Sequence, residues 1–195
     1  MTIALAAIAA FLIGSIPFGY LIGVVFYRTD IRRAGSGNIG AMNALRTIGK
    51  PGAVAVLLLD ALKGFFPPCF ALHLGLVPNF AVALIAACGV LGHCFSPWLG
   101  WKGGKGVATS FGAIFALSWP AGLVAIAGWA LGALVTRYSS VGSILGSVLA
   151  TGALWYFTRN PWFTAYGIAA AAFILYTHRE NIARLRAGKE NPIKL

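Results

Sequence analysis

Carboxylates are scarce in this 195-residue chain: Asp30, Asp60, Glu180 and Glu190 stand against fifteen lysines and arginines. Metal-dependent diphosphate chemistry needs clustered carboxylates. No two of these four share a loop with that spacing, so neither a metal nor a cofactor is expected. The cysteines, Cys69, Cys88 and Cys94, are odd in number and form no Cys-x-x-Cys. That excludes a disulfide framework or a zinc site and leaves them as small packing residues. Charged residues make up only 10% of the chain, against roughly 25% in a soluble domain, so too little polar sequence remains for a separate soluble domain. Two catalytic signatures are missing as well. There is no Gly-x-Ser-x-Gly elbow, and the positions five after His73, His93 and His178 are Pro78, Trp98 and Ala183. A covalent serine mechanism and an imidazole held by an aspartate at that spacing both lack support.

What the chain has instead is apolar length: 59% of its residues are hydrophobic. Met1–Tyr27 reads as a retained span kinked near Pro17, since no basic residue precedes it as in a signal peptide. Further spans are expected at Pro51–Leu72, Pro78–Leu99, Val107–Leu117, Ala121–Val135, Val141–Phe157 and Trp162–Thr177. The run from Val107 to Val135 reads as one tilted span or as two short ones broken at Ser118-Trp119-Pro120. The break puts thirteen basic residues on one side of the membrane and only Arg159 on the other, which is what the positive-inside rule favours. Val107–Leu117 is then only about 17 Å long, against a hydrocarbon core of ~30 Å. The expected fold is an all-α integral membrane protein, a bundle of seven transmembrane helices with some short. Its N-terminus lies outside and its C-terminus in the cytoplasm, with residues 1–195 forming one polytopic domain. A net charge of +11 then reflects cytoplasmic loops near anionic lipid rather than nucleic acid. Asp60 and Lys63, three apart on one helix face, read as an inward-facing pair. Gly-x-x-x-Gly at Gly19–Gly23, Gly128–Gly132 and Gly142–Gly146 signals close helix packing.

Three polar segments share the cytoplasmic side in this topology. Trp101–Thr109 carries Lys102 and Lys105 among glycines, just ahead of a helix whose positive end favours anions. It is not a Walker A loop, because Leu99 stands where the first glycine belongs. Arg33–Asn43, followed by Arg46, offers Ser36, Asn38 and Asn43 among Gly35, Gly37 and Gly40; such a run is also ordinary turn chemistry. A helix starting near Gly40 would put Asn43 and Arg46 on one face. In the tail, His178, Asn181 and Arg184 line one helix face, and the chain is expected to fray at its end. Arg137–Ser143 adds hydroxyls. These groups suit two phosphates held beside an apolar bundle, as in an enzyme of amphiphilic phosphates. A transporter of organic phosphates would also want them, but it calls for polar groups at mid-membrane and repeated halves.

Three motifs, Ser36-Gly-Asn-x-Gly-Ala-x-Asn43, Lys102-Gly-Gly-Lys-Gly-Val-Ala-Thr109 and His178-Arg-Glu-Asn181, together with Leu59-Asp-Ala-Leu-Lys-Gly64, give the chain a family likeness. In order and spacing it resembles the bacterial membrane acyl-phosphate:glycerol-3-phosphate acyltransferases over essentially its whole length. The resemblance implies seven spans in the cytoplasmic (inner) membrane and an active site on the cytoplasmic face. It implies transfer of a fatty acyl group from acyl phosphate to the 1-hydroxyl of glycerol 3-phosphate, giving lysophosphatidate, the first acylation of phospholipid synthesis. Acyl-CoA and acyl carrier protein are not used directly. It also implies that Lys105, His178 and Asn181 are catalytic and that Arg46 and Ser143 bind glycerol 3-phosphate with them. Ser36, Gly37, Asn38, Asn43, Lys102, Gly103 and Gly104 complete the substrate site, with Ser36, Asn38, Gly103 and Gly104 forming a second phosphate pocket. Membrane lipid is the expected surrounding, nucleic acid is not a partner, and nothing indicates an oligomer. Ile39 replaces a common proline and Met42 a common threonine, which puts a ligand contact at position 42 in doubt.

Overall fold

A computed structural model describes residues 3–75 and 77–193, and among them every regular element is helical. The helices are α1 (Ile3–Ser15), α2 (Phe18–Tyr27), α3 (Ala41–Leu74), α4 (Asn79–Cys94), α5 (Val107–Leu117), α6 (Trp119–Thr136), α7 (Ser139–Thr158), α8 (Pro161–Thr177) and α9 (Arg179–Arg186). Single 3-10 turns follow α2 and α4, at Ile31–Arg33 and Pro97–Leu99. Five segments of the described chain are long and apolar enough to cross a membrane: Ile3–Tyr27, Ala41–Leu74, Asn79–Leu99, Trp119–Thr136 and Ser139–Thr158. Val107–Leu117 and Pro161–Thr177 are apolar but shorter. The expected break at Ser118 is present, with Pro120 in the first turn of α6, where a missing N–H is harmless.

Helix α3 bends at its start. Gly49 has φ 81° and ψ −179°, open only to glycine, and Pro51 follows. The eight residues before Gly49 therefore turn away from the long apolar part. They form a short helix, begun at Gly40 as the Asn43–Arg46 spacing anticipates.

The core is built from small residues, as expected where lipid is as apolar as leucine and only close packing favours contact. Val82, Ala86 and Val90 of α4 pack with Ala113 and Ile114 of α5, Ala121 and Ala125 of α6, Ala150 and Leu154 of α7, and Tyr166 of α8. The two glycine pairs of α6 and α7 meet each other: Gly128 lies on Gly146 and Gly132 on Gly142, so this packing is within one chain. Gly19 and Gly23 behave differently. Side chains there would run into the Ile39 and Thr29 carbonyls, so this pair seats the following loop instead of another helix. Asp60 and Lys63 form the anticipated pair, Nζ to Oδ1 2.7 Å, each side chain 2% exposed. The cysteines are free, and Cys94 packs in the core.

Candidate active site

Lys105 stands between the glycine loop and α5. Gly106, with φ 81°, caps α5 and leaves the leading amides of that helix without intrahelical partners beside the lysine. The Lys105 ammonium donates to Asn181 Oδ1 on α9, and its carbonyl accepts from Thr177 Oγ1 at 3.1 Å. Burial, reinforced by Arg184, pushes the Lys105 pKa down, while Glu190 and Glu180 pull it back.

His178 is the hinge between α8 and α9 and is buried. Its Nδ1 lies 2.8 Å from the Ile174 carbonyl. That fixes the proton on Nδ1 and leaves Nε2 as an acceptor. Burial lowers its pKa to about 4, so the imidazole is neutral at physiological pH. Among the described residues no hydrogen bond joins a carboxylate to it.

One carboxylate gathers the rest. Glu190 Oε1 accepts from Asn181 Nδ2 at 2.6 Å and from Ser140 Oγ at 3.3 Å, and Oε2 accepts from Arg184 Nε at 2.7 Å. Its partial burial raises its pKa, but the bonds from Asn181 and Arg184 outweigh that and hold it below the usual value. Arg46 donates to the Asn191 carbonyl at 3.3 Å, and Ile193 N–H to the Arg137 carbonyl at 2.7 Å. Up to Ile193 the tail is thus tied across α3, α7 and α9; the fraying expected at its very end concerns Lys194 and Leu195, which lie outside the described residues. Ser143, one turn along α7 from Ser140, bonds the Ser139 carbonyl at 2.8 Å. Lys105, His178, Asn181 and Arg46 therefore come together as anticipated. Ser140 is one of the hydroxyls counted in Arg137–Ser143; sequence reasoning missed Glu190, although an isolated acid beside a basic motif was a signal.

The second group is arranged otherwise than expected. Asn43 is 1% exposed. Its Oδ1 accepts from Ser36 N–H at 2.7 Å, and Nδ2 donates to the carbonyls of Ile31 (2.7 Å), Asn38 (2.8 Å) and Ala34 (3.2 Å). Its amide is committed to shaping the loop, and its burial keeps it from the surface. Asn38 Oδ1 accepts from Gly40 N–H at 2.8 Å. Gly103 and Gly104 do not offer free amides either: they donate to the Cys94 (2.9 Å) and His93 (3.1 Å) carbonyls. Gly37, Lys102 and Gly103, joined by Arg33, do line one cleft of about 290 Å³ between the two glycine-bearing loops.

A family model described as glycerol-3-phosphate acyltransferase matches residues 4–188. The chain belongs to the glycerol-3-phosphate acyltransferase family. Curated relatives of that name include one from Anaeromyxobacter dehalogenans, 46% identical, with the match covering 97% of this chain and 96% of the relative. Another, from Synechococcus sp. (strain JA-3-3Ab), is 42% identical, covering 95% and 91%. The fold agrees with a crystal structure of PlsY, an integral membrane glycerol 3-phosphate acyltransferase, in its glycerol 3-phosphate form. The TM-score is 0.93 at 37% identity, over 98% of this chain and 96% of that one. Its lysophosphatidic acid form gives 0.92 at 36% identity, over 98% and 95%. This chain is accordingly an integral membrane protein of the acyltransferase family.

Proposed function

We propose that this protein transfers a fatty acyl group from acyl phosphate to the 1-hydroxyl of glycerol 3-phosphate, releasing lysophosphatidate and phosphate. The observation that carries the reading is the convergence of Lys105, Asn181, Arg184 and Arg46 beside a neutral, buried His178. Arg46 supplies charge for the glycerol 3-phosphate anion, with Ser143 nearby. His178 Nε2 accepts from the glycerol hydroxyl and orients it. The cleft of Gly37, Lys102 and Gly103 takes the phosphate of the donor, and Ser36 and Asn38 flank Gly37 in the loop that forms one wall. Gly104 serves by its shape.

The hydroxyl oxygen attacks the acyl carbon, the bond from that carbon to the phosphate oxygen breaks, and the hydroxyl proton leaves on the phosphate. The departing phosphate thus serves as the base, and no acyl-enzyme forms. Lys105 favours this step because negative charge builds on the leaving group.

The arrangement we propose is seven spans in a bacterial inner membrane, N-terminus outside, with loops and tail on the cytoplasmic face. Purified protein given acyl phosphate and glycerol 3-phosphate is expected to yield lysophosphatidate, to be inactive with acyl-CoA, and to withstand chelators. Robust acyl-CoA turnover would sink the donor assignment. A tail cysteine, on a background without the native three, should escape labelling from outside intact cells; labelling there would restore a six-span topology.

A further inference from the structure

Below the glycine loop lies a polar junction that the proposed reaction does not use. The apolar run of α1 and α2 breaks at Ile16–Pro17 and frees backbone carbonyls there. The Ile16 carbonyl accepts from Lys63 Nζ at 2.7 Å, and the Ser15 carbonyl from Ser96 Oγ at 2.7 Å. Lys63 Nζ also lies 2.7 Å from Asp60 Oδ1, and the same oxygen lies 3.5 Å from His93 Nδ1. His93 ends the chain of contacts. Its carbonyl holds the Gly104 amide, and a side chain at Gly104 would overlap its imidazole. None of the three side chains is more than 4% exposed.

Such a group is a poor stability device. A charge at mid-membrane costs about 2.5–3.5 kcal/mol on insertion scales, and buried ion pairs are often replaced by apolar residues without loss. What the junction does geometrically is fix the residue before Lys105. Behind the lysine, His93 sets both the amide and the Cα of Gly104. In front, Thr177, next to His178, bonds the lysine's own carbonyl. The ammonium is thereby aimed from two pinned ends.

We propose that His93, set against Asp60 of the Asp60–Lys63 ion pair, is the positioning residue for Lys105. It sets the height of the glycine loop so that the ammonium meets the reacting phosphate. The proposal rests on the acyl-transfer reading above.

The test is a three-variant cycle of His93→Ala, Gly104→Ala and the double variant, assayed in detergent beside wild type. Lys105 acts on the transition state, so His93→Ala should lower kcat about tenfold while KM for glycerol 3-phosphate moves less than threefold. Gly104→Ala should lose tenfold or more. The double variant should recover at least threefold over Gly104→Ala, because removal of the ring makes room for the methyl group. A double variant no better than Gly104→Ala, or wild-type kcat in folded His93→Ala, overturns the proposal. If His93→Ala does not fold, His93→Gln carries the same kcat test, and wild-type turnover there overturns it. Wild type that fails to make lysophosphatidate from acyl phosphate defeats the acyl-transfer reading itself, a separate outcome.

Discussion

The two glycine-bearing loops resemble each other in composition and differ in what holds them. The loop before α3 is shaped by a side chain: Asn43 makes four hydrogen bonds to it, and the glycines turn freely, Gly35 and Gly37 with positive φ. The loop before α5 is shaped by backbone: Gly103 and Gly104 donate to the last carbonyls of α4, and their missing side chains let the chains touch. A loop held by one amide depends on one residue and stays adjustable around it. A loop fastened to a helix end inherits the rigidity of that helix, which suits the fixed charge proposed for Lys105.

The contrast can be broken most severely at the charge itself. Lys105→Ala removes charge-assisted hydrogen bonds worth roughly 1.5–3 kcal/mol, so turnover should fall about tenfold or more, and Lys105→Arg should recover only part. Single-turnover rates with saturating glycerol 3-phosphate check this. Next is Asn43→Ala, which leaves the loop's polar groups unpaired. About tenfold loss of kcat/KM for acyl phosphate is expected, with little change in KM for glycerol 3-phosphate; equal effects on both substrates would contradict separate sites.

A sharper comparison sets Gly103→Ala against Gly37→Ala. At Gly103 an added methyl meets the His93 and Cys94 backbone, whereas at Gly37 the nearest atom, the Arg32 carbonyl oxygen, is 3.3 Å away. The first should cost severalfold in turnover. The second should cost left-handed backbone strain, roughly 1–2 kcal/mol of stability, seen in thermal unfolding in detergent, and should raise KM for acyl phosphate as the methyl narrows the cleft.

The smallest effect concerns pH. His178 titrates near 4 in the folded protein and near 6.5 unfolded, so between those values only the unfolded chain takes up the proton. Stability from this group is therefore intact above about pH 6.5 and declines as pH falls toward 4. His178→Gln should lessen that acid sensitivity and, if the residue only orients the hydroxyl, retain measurable activity with an unchanged pH–rate profile. Loss of an ionisation near neutrality in the variant would make His178 the base.

Much of this was legible in the sequence because the signals were local. Apolar runs, Pro120, the Asp60–Lys63 spacing and the His178–Asn181–Arg184 stripe each follow from the period of one helix. What escaped were contacts between distant segments. Nothing local says that Asp60 lies beside His93 or that Glu190 folds back onto Asn181, since each pairing depends on how whole helices pack. The glycines misled for a related reason. A Gly-Gly pair permits a free anion nest or a close backbone approach equally well, and only the position of the α4 terminus decides between them.

Three arginines, Arg28, Arg137 and Arg159, end α2, α6 and α7 in left-handed backbone, with φ 51°, 63° and 50°. Glycine is the usual residue at such an ending, so each position accepts strain that glycine would relieve. An arginine there puts its cation at the negative end of the helix dipole and at the edge of the lipid; Arg159 also lies over the Trp155 and Tyr156 rings, at 5.8 Å and 5.7 Å. None of these helices can sink further without drawing a guanidinium into hydrocarbon. The arginines act as draught marks on a hull: they set how deep the bundle floats, and hence, in the proposed reaction, the level at which a substrate anchored by its acyl tail presents its phosphate to the loops.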